Sequence, residues 1–183
     1  MASTDPRPLT GEPLSLELVN TRWHSNGSIR DLLAEQGGPE LWLDAVGLAD
    51  RCPATEATLA ALLQARDALV AAMRSPAEPS AQARAALNSV LAHARVRREF
   101  TEAGPASNVE ADDPAWLAAW LAADDYLTLS SGAPDRIRRC AGEQCVLHFF
   151  DTSQNGRRRW CSMATCGNRN KASRHYARTR VQH

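Results

Sequence analysis

The sequence lacks any apolar run close to the roughly 18 to 20 residues that a membrane-spanning helix needs. It also lacks the basic start and the apolar stretch of a secretory signal peptide, since it begins Met1-Ala2-Ser3-Thr4-Asp5-Pro6. We therefore expect a cytoplasmic protein with no membrane partner. Its 183 residues suffice for one compact domain, or one domain and a small module, that folds without disulfide bonds.

The common enzyme motifs are missing too. There is no Gly-x-x-x-x-Gly-Lys phosphate loop, no Gly-x-Gly-x-x-Gly, no His-Glu-x-x-His and no Gly-x-Ser-x-Gly. The His-x-Glu and Cys-x-x-Cys of the zinc deaminases are also absent. These absences predict that the protein is not an enzyme.

Acidic side chains are scarce in the last part of the chain. Residues 135–183 carry 11 basic and three acidic side chains, a net charge of +8, whereas residues 1–134 carry ten basic and 18 acidic side chains, a net charge of −8. Such blocks of opposite charge indicate either a nucleic-acid partner for the basic part or docking of one part on the other. The charges alone leave both alternatives open.

The chain divides into three parts. Residues 1–13 contain three prolines and form a flexible lead-in. Residues 14–134 are expected to form a mainly helical domain, with a boundary at the Ser130-Ser131-Gly132-Ala133-Pro134 segment. Residues 135–183 form a small C-terminal module. The expected fold class is therefore mainly α with small β elements, α+β.

Hydrophobic periodicity and capping residues predict the elements of the second part. The predicted helices cover residues 39–46, 55–74, 80–93 and 115–129. Two weak strands are expected within residues 95–111, with a turn at Gly104-Pro105. The segment Leu14–Thr21 fits a strand and a helix equally well, because so short a run has no clear period.

Four of the five cysteines lie close together, in the pattern Cys140-x4-Cys145-x15-Cys161-x4-Cys166. Two short Cys-x4-Cys loops separated by a spacer fit a tetrahedral four-cysteine zinc site. Two disulfide bonds, or ordinary buried cysteines, are the alternatives. Disulfide bonds are the poorer interpretation, because no secretory signal is present and Cys52 would have no partner. We predict one structural Zn²⁺ held by these four thiolates.

The spacer between the cysteine pairs predicts a β-hairpin. Val146–Phe150 is the first strand, Asn155-Gly156 is the turn, and Arg157–Trp160 returns toward Cys161. Ser162 is expected to cap a helix that includes Cys166 and runs to about Arg178. A cysteine loop, a hairpin and a helix that carries the last ligand form a treble-clef-like arrangement.

Basic side chains are clustered on this module. Arg157, Arg158 and Arg159 follow one another in the hairpin, and Lys171, Arg174 and Arg178 form a stripe on the expected helix, away from the metal. A solvated charged face is the simpler explanation for such a stripe. The shortage of acidic residues favours phosphate binding by these six side chains. Arg169 fits either a phosphate contact or a hydrogen bond that supports the thiolates.

The module resembles the CGNR zinc finger over about residues 135–180. The segments that carry the resemblance are Cys140-Ala141-Gly142-Glu143-Gln144-Cys145, Phe149-Phe150-Asp151-Thr152-Ser153, Arg158-Arg159-Trp160-Cys161-Ser162-Met163 and Cys166-Gly167-Asn168-Arg169. Upstream, Leu16–Thr21, Asp31-Leu32-Leu33 and Trp42-Leu43 resemble the ABATE domain that accompanies this finger in bacterial proteins. The resemblance implies a stress-induced transcription regulator whose finger binds zinc and DNA.

Two kinds of function follow from these features. The first is transcription regulation through DNA binding by the finger, with the acidic N-terminal domain as sensor or dimerisation body. The second is a protein-interaction module whose basic finger docks on an acidic partner or on its own N-terminal domain. RNA is an alternative nucleic-acid partner. A homodimer and a small-molecule effector both fit a regulator, and the sequence identifies neither.

A cluster of polar and amphipathic residues near the start of the chain has two interpretations. Its members are Asn20, Thr21, Trp23, His24 and Asp31. They would line a ligand pocket, or they would cap helices and support a turn at Asn26-Gly27. We favour capping and turn formation.

Overall fold

A computed structural model describes residues 5–168 of the chain. In this range the α-helices are α1 (Leu14–Val19), α2 (Gly38–Ala45), α3 (Glu56–Ala72), α4 (Ala81–Leu91) and α5 (Leu117–Gly132). The strands are β1 (Arg22–Ser25), β2 (Ser28–Asp31), β3 (Ala94–Thr101), β4 (Gly104–Ala111), β5 (Ile137–Arg139) and β6 (His148–Phe150). This mainly helical structure with small β elements confirms the predicted α+β class.

Helix α3 lies at the centre of the N-terminal domain and packs against α1, α4 and α5. Thr55 caps it, because its hydroxyl accepts the Thr58 N–H at 3.1 Å. Its apolar face buries Leu62, Ala65 and Leu69. The predicted helices over 39–46, 55–74, 80–93 and 115–129 are confirmed to within three residues at each end.

The segment Leu14–Thr21, whose sequence fits a strand and a helix equally well, is helical over Leu14–Val19, which is α1. Leu16 and Leu18 are both fully buried, although about 200° separates them around a helix. Both are buried because α1 packs against α3 and α5 and also against β6 of the C-terminal module. A short helix that is enclosed on several sides shows no 3.6-residue period, so its sequence alone could not identify it.

Three antiparallel two-stranded sheets are formed in residues 5–168. Strands β1 and β2 are joined by Asn26 and Gly27, whose φ angles of 48° and 83° suit a tight hairpin turn. Strands β3 and β4 confirm the two strands expected within residues 95–111. Their turn lies two residues before the predicted one, because Thr101 already pairs with Gly104.

The predicted hairpin of the C-terminal module is wrong in its pairing. Strand β6 pairs with β5, which precedes the first cysteine, and not with residues 157–160. A turn does form one residue before the predicted Asn155-Gly156 turn, since the Gly156 N–H donates to the Ser153 carbonyl at 3.1 Å and places Gln154 and Asn155 at its centre. However, the Arg158 N–H then donates to the buried Asp151 carboxylate at 2.8 Å, so the returning segment does not extend along β6.

The C-terminal module packs directly on the N-terminal domain. The Asn20 side-chain amide donates to the His148 carbonyl at 2.9 Å, and its oxygen accepts the His148 N–H at 2.9 Å. The Glu12 carboxylate accepts the Phe150 N–H at 2.8 Å. Phe149, between these two contacts, is fully buried. Among residues 5–168, no helix is long and apolar enough to cross a membrane.

Replacement of Asn20 by Ala tests this contact. We expect Asn20→Ala to lower the free energy of unfolding by about 2 kcal/mol or more, because two buried main-chain groups of His148 lose their partners. Urea unfolding of the zinc-loaded protein measures the change. Asn88→Ala is the matched control, since Asn88 is exposed on α4. A loss in Asn20→Ala no larger than in the control would contradict the role of Asn20.

Candidate metal centre

Four cysteine sulfurs meet in one buried cluster. The Sγ atoms of Cys140, Cys145, Cys161 and Cys166 all lie within 4.8 Å of one another. Cys145 and Cys161 are 3.8 Å apart, and Cys161 and Cys166 are 3.6 Å apart. Zn–S bonds of about 2.3 Å in a tetrahedron separate the sulfurs by about 3.8 Å. The distances and the donor set fit one structural zinc ion, and all five cysteines are free of disulfide bonds.

Two loops bring the sulfurs together. The first begins directly after β5, where the Cys140 N–H donates to the Leu147 carbonyl at 2.9 Å. It closes at Cys145, whose N–H donates to the Gly142 carbonyl at 2.9 Å. The second is a wide helical turn, Met163–Gly167, which follows Ser162. The Ser162 hydroxyl accepts the Thr165 N–H at 3.4 Å, as predicted for a cap.

Main-chain N–H groups point at one of the sulfurs. Cys140 Sγ accepts the Cys161 N–H at 3.3 Å and the Gly142 N–H at 3.5 Å. Such bonds stabilise a thiolate in a buried site. Because Cys161 belongs to the second cysteine pair, its N–H bond to Cys140 Sγ also links the two pairs.

The thiols of Cys140, Cys145 and Cys161 interact through hydrogen bonds. Hydrogen bonds from Cys145 and Cys161 lower the pKa of Cys140 to about 2, and the bond to Cys140 raises the pKa of Cys145 to about 12. The cluster alone therefore favours one thiolate beside protonated neighbours. A zinc ion needs all four sulfurs as thiolates, so its binding releases the remaining protons. The sulfurs then fill the tetrahedral shell, which leaves no open position for water or substrate.

Gly142 of the first loop lies close to the cysteine cluster. A Cβ atom at this position would lie 3.0 Å from Cys145 Cβ and 3.4 Å from Cys166 Sγ. The sequence resemblance includes Gly142 without explaining it. The structure shows that a glycine here allows the backbone to approach the sulfurs closely.

Asp151 organises the loop between the cysteine pairs, a role that the sequence did not reveal. Its buried carboxylate accepts the N–H groups of Ser153 and Arg158 at 2.9 and 2.8 Å. Burial by itself raises the pKa of Asp151, but these hydrogen bonds outweigh burial and hold the pKa below its usual value. Arg136 supports the same loop by donating to the carbonyls of Asp151 and Ser153 at 2.6 and 2.9 Å.

The arginines predicted to bind nucleic acid differ in their surroundings. Arg158 is engaged inside the module: its guanidinium donates to the Trp160 and Cys161 carbonyls and lies 4.4 Å from the centre of the Phe149 ring. Arg157 and Arg159 are exposed. Four further predicted contacts, and most of the predicted helix to Arg178, lie outside the described residues; these contacts are Arg169, Lys171, Arg174 and Arg178.

The polar cluster near the start of the chain has structural roles. Asp31 accepts the Leu33 N–H as a cap and binds the buried Arg66 at 2.7 and 2.8 Å. Thr21 donates to the Leu18 carbonyl and accepts from Arg66, while Asn20 holds His148. These contacts agree with the interpretation as capping and turn formation.

Removal of one ligand tests the metal centre. We expect Cys161→Ser to lose zinc during dialysis against a chelator that leaves one zinc per chain in the unmodified protein, because a hydroxyl is a poor replacement for a thiolate. Elemental analysis measures the zinc content. Cys52→Ala is the control, since Cys52 is buried far from the cluster in sequence and outside the four-cysteine group. Full zinc retention by Cys161→Ser would argue against this ligand set.

A second variant tests the close approach at Gly142. We expect Gly142→Ala to weaken zinc binding in competition with a chromophoric chelator, because the added methyl group crowds Cys145 and Cys166. Gly132→Ala is the matched control, since a Cβ atom there meets no atom within 4 Å. Equal zinc affinities for the two variants would show that the crowding is relieved without cost.

Residues 136–179 match the CGNR zinc finger, and residues 12–132 match ABATE, which is described as "Putative stress-induced transcription regulator". No curated protein matches the chain. The two matches agree with the resemblance seen in the sequence, and the ABATE match spans more than half of the chain. The chain therefore belongs to the ABATE family and carries a CGNR zinc finger after its ABATE domain.

Proposed function

We propose that this protein is a transcription regulator that binds DNA through its zinc finger. The observation that supports the proposal best is an open groove of about 580 Å³ beside the metal centre. It is lined by five arginines, Arg74, Arg138, Arg139, Arg158 and Arg159, and by one acidic residue, Asp135. We call this surface the arginine groove. A groove with such an excess of positive charge suits a phosphate backbone.

The arginines of the groove are not equally available to a phosphate. Arg158 is held by main-chain carbonyls, and Arg138 lies 3.7 Å from the Asp151 carboxylate. Among the residues that the structure describes, Arg74, Arg139 and Arg159 form no ion pair and are exposed. Arg157 is exposed beside them. The segment that follows residue 168 adds further basic side chains in sequence and no acidic one.

The metal has a structural role in this proposal. Zinc with four thiolates adds a charge of about −2, which leaves the C-terminal module strongly basic. The filled coordination shell favours a structural ion over a catalytic one, so we propose that the protein is not an enzyme. A DNA-binding regulator of this kind acts in the cytoplasm.

The acidic N-terminal domain serves as a sensor or a dimerisation body. Dimerisation is supported by the hairpin of β3 and β4, on which the Phe100 side chain is 84% exposed and Val96 is also exposed. Exposed apolar side chains of this size are typical of surfaces that meet a partner.

A protein-interaction role is the second candidate. It is favoured by the docking of the finger on its own N-terminal domain. That docking uses the main chain of β6. Among the finger arginines that the structure describes, one comes within 4.0 Å of a carboxylate of the domain: Arg158, beside Glu12. The exposed Arg139, Arg157 and Arg159 are left for an external partner, which is an acidic protein or a nucleic acid.

A salt series tests the proposal. We expect the zinc-loaded protein to bind mixed-sequence duplex DNA with an affinity that falls steeply with salt, because each phosphate contact releases a counterion. The variant with Arg157→Gln and Arg159→Gln should bind more weakly and reduce the slope of log K against log salt by about two. Fluorescence anisotropy measures both quantities.

The control variant loses two positive charges, as the test variant does, but it loses them in the N-terminal domain. Arg84→Gln with Arg98→Gln removes two exposed arginines of the N-terminal domain and should leave the slope unchanged. Single-stranded DNA and RNA of matched length are measured in parallel. Preference for RNA would replace the DNA partner, and a lack of salt-dependent binding to all three would favour an acidic protein partner.

A further inference from the structure

A second cavity, of about 500 Å³, lies between the N-terminal domain and the finger. Its walls come from α1, the β1–β2 hairpin, the end of α3, and strands β5 and β6. This volume is within the range of about 300 to 1,000 Å³ that is usual for small-molecule sites, and such sites are common where two domains meet. Neither family match assigns a ligand to it.

Positive charge surrounds this cavity. Three arginines line it, Arg22, Arg74 and Arg139, and no acidic residue does. Arg22 is partly neutralised by Asp31 at 3.5 Å. Arg74 and Arg139 form no ion pair within residues 5–168. An anionic group at this position would therefore meet two arginines without competing carboxylates.

His148 is the polar residue that is buried in the wall of the cavity. It is only 7% exposed, and its main chain is fixed by Asn20. Its Nδ1 atom is buried without a hydrogen-bond partner. An unpaired buried polar atom costs free energy, so a ligand that reaches the imidazole of His148 through the cavity wall would supply a partner that residues 5–168 do not. Burial and the charge of Arg139 lower the pKa of His148 to about 4, which leaves the imidazole neutral near pH 7.

The remaining wall is apolar. Val70 and Met73 of the α3 end, and Val146 next to β6, face the same space. Two further apolar residues, Val19 and Ile29, complete it. A small inorganic anion would leave this surface in contact with water, whereas an anion with an apolar body covers it.

The residues that the structure describes do not supply such an anion, because no acidic side chain lines the cavity.

We propose that the cavity binds a small amphipathic anion, with a carboxylate or phosphate held by Arg74, Arg139 and His148 and an apolar body packed on Val70 and Met73. Arg74 belongs to the N-terminal domain, and Arg139 and His148 belong to the finger. The ligand therefore bridges the two parts of the chain. Binding of the anion does not depend on the proposed function. An effect of the anion on DNA affinity does depend on it, because it requires that the protein binds DNA.

Calorimetric titration of the zinc-loaded full chain, without nucleic acid, tests the proposal. The probes are hexanoate and hexyl phosphate, which share the apolar chain and differ in the anionic group. Hexanamide and acetate are the controls, because each retains only one half of the proposed recognition. We expect one equivalent of hexanoate or hexyl phosphate to bind, and both controls to bind at least tenfold more weakly.

Variants locate the site. Arg74→Gln and His148→Leu should each weaken the tighter probe about tenfold, since each removes one polar contact to the anion. Arg98→Gln, an exposed arginine of β3, should leave the affinity unchanged. Zinc content and thermal unfolding check each variant. Because Arg74 is exposed, we expect Arg74→Gln to fold normally. This variant therefore tests the location of the anion site even where His148→Leu folds poorly.

Two results would overturn the proposal. One is the absence of saturable binding of both probes in the millimolar range. The other is binding that Arg74→Gln does not weaken, because this would place the anion elsewhere on the protein.

Discussion

The contact between Asn20 and His148 holds the two parts of this protein together. Strand β6 uses one edge to pair with β5, and the other edge faces the N-terminal domain, where water is excluded. The Asn20 amide offers one donor and one acceptor to the main chain of His148, as a neighbouring strand would. Asn20 itself is fully buried on the helical side. The groove and the cavity both have walls from each part, so both depend on this contact.

The metal centre shows how far local sequence spacing determines a site. The ligand set follows from the spacing of four cysteines, because each short loop holds two thiolates near one metal. The hydrogen bonds that support these ligands cannot be inferred from the spacing. The N–H groups that reach Cys140 Sγ come from Gly142 and Cys161, and the second of these is 21 residues away. Such contacts become visible only when the two loops are seen side by side.

The helices of the N-terminal domain were predictable because they combine an apolar face with a capping residue, as Thr55 does for α3. Helix α1 was not, since it is too short and too enclosed to show a period. The finger hairpin was assigned to the wrong strands for a different reason. A turn does form at Ser153–Gly156, but the buried Asp151 carboxylate accepts the Arg158 N–H, which is then not available to pair with β6. A single charged side chain therefore prevents the strand pairing although the turn itself forms.

Within residues 5–168, opposite charges contribute one ion pair, Arg158–Glu12, to the contact between the two parts. Hydrogen bonds to main-chain groups make most of this contact, and four finger arginines line the groove, namely Arg138, Arg139, Arg158 and Arg159. Arg74 and Arg139 line both of these surfaces. An anion in the cavity would therefore lower the positive potential that a phosphate meets in the groove. Because coupling between two binding sites is reciprocal, nucleic acid in the groove would weaken the anion equally, and the two proposed ligands oppose each other.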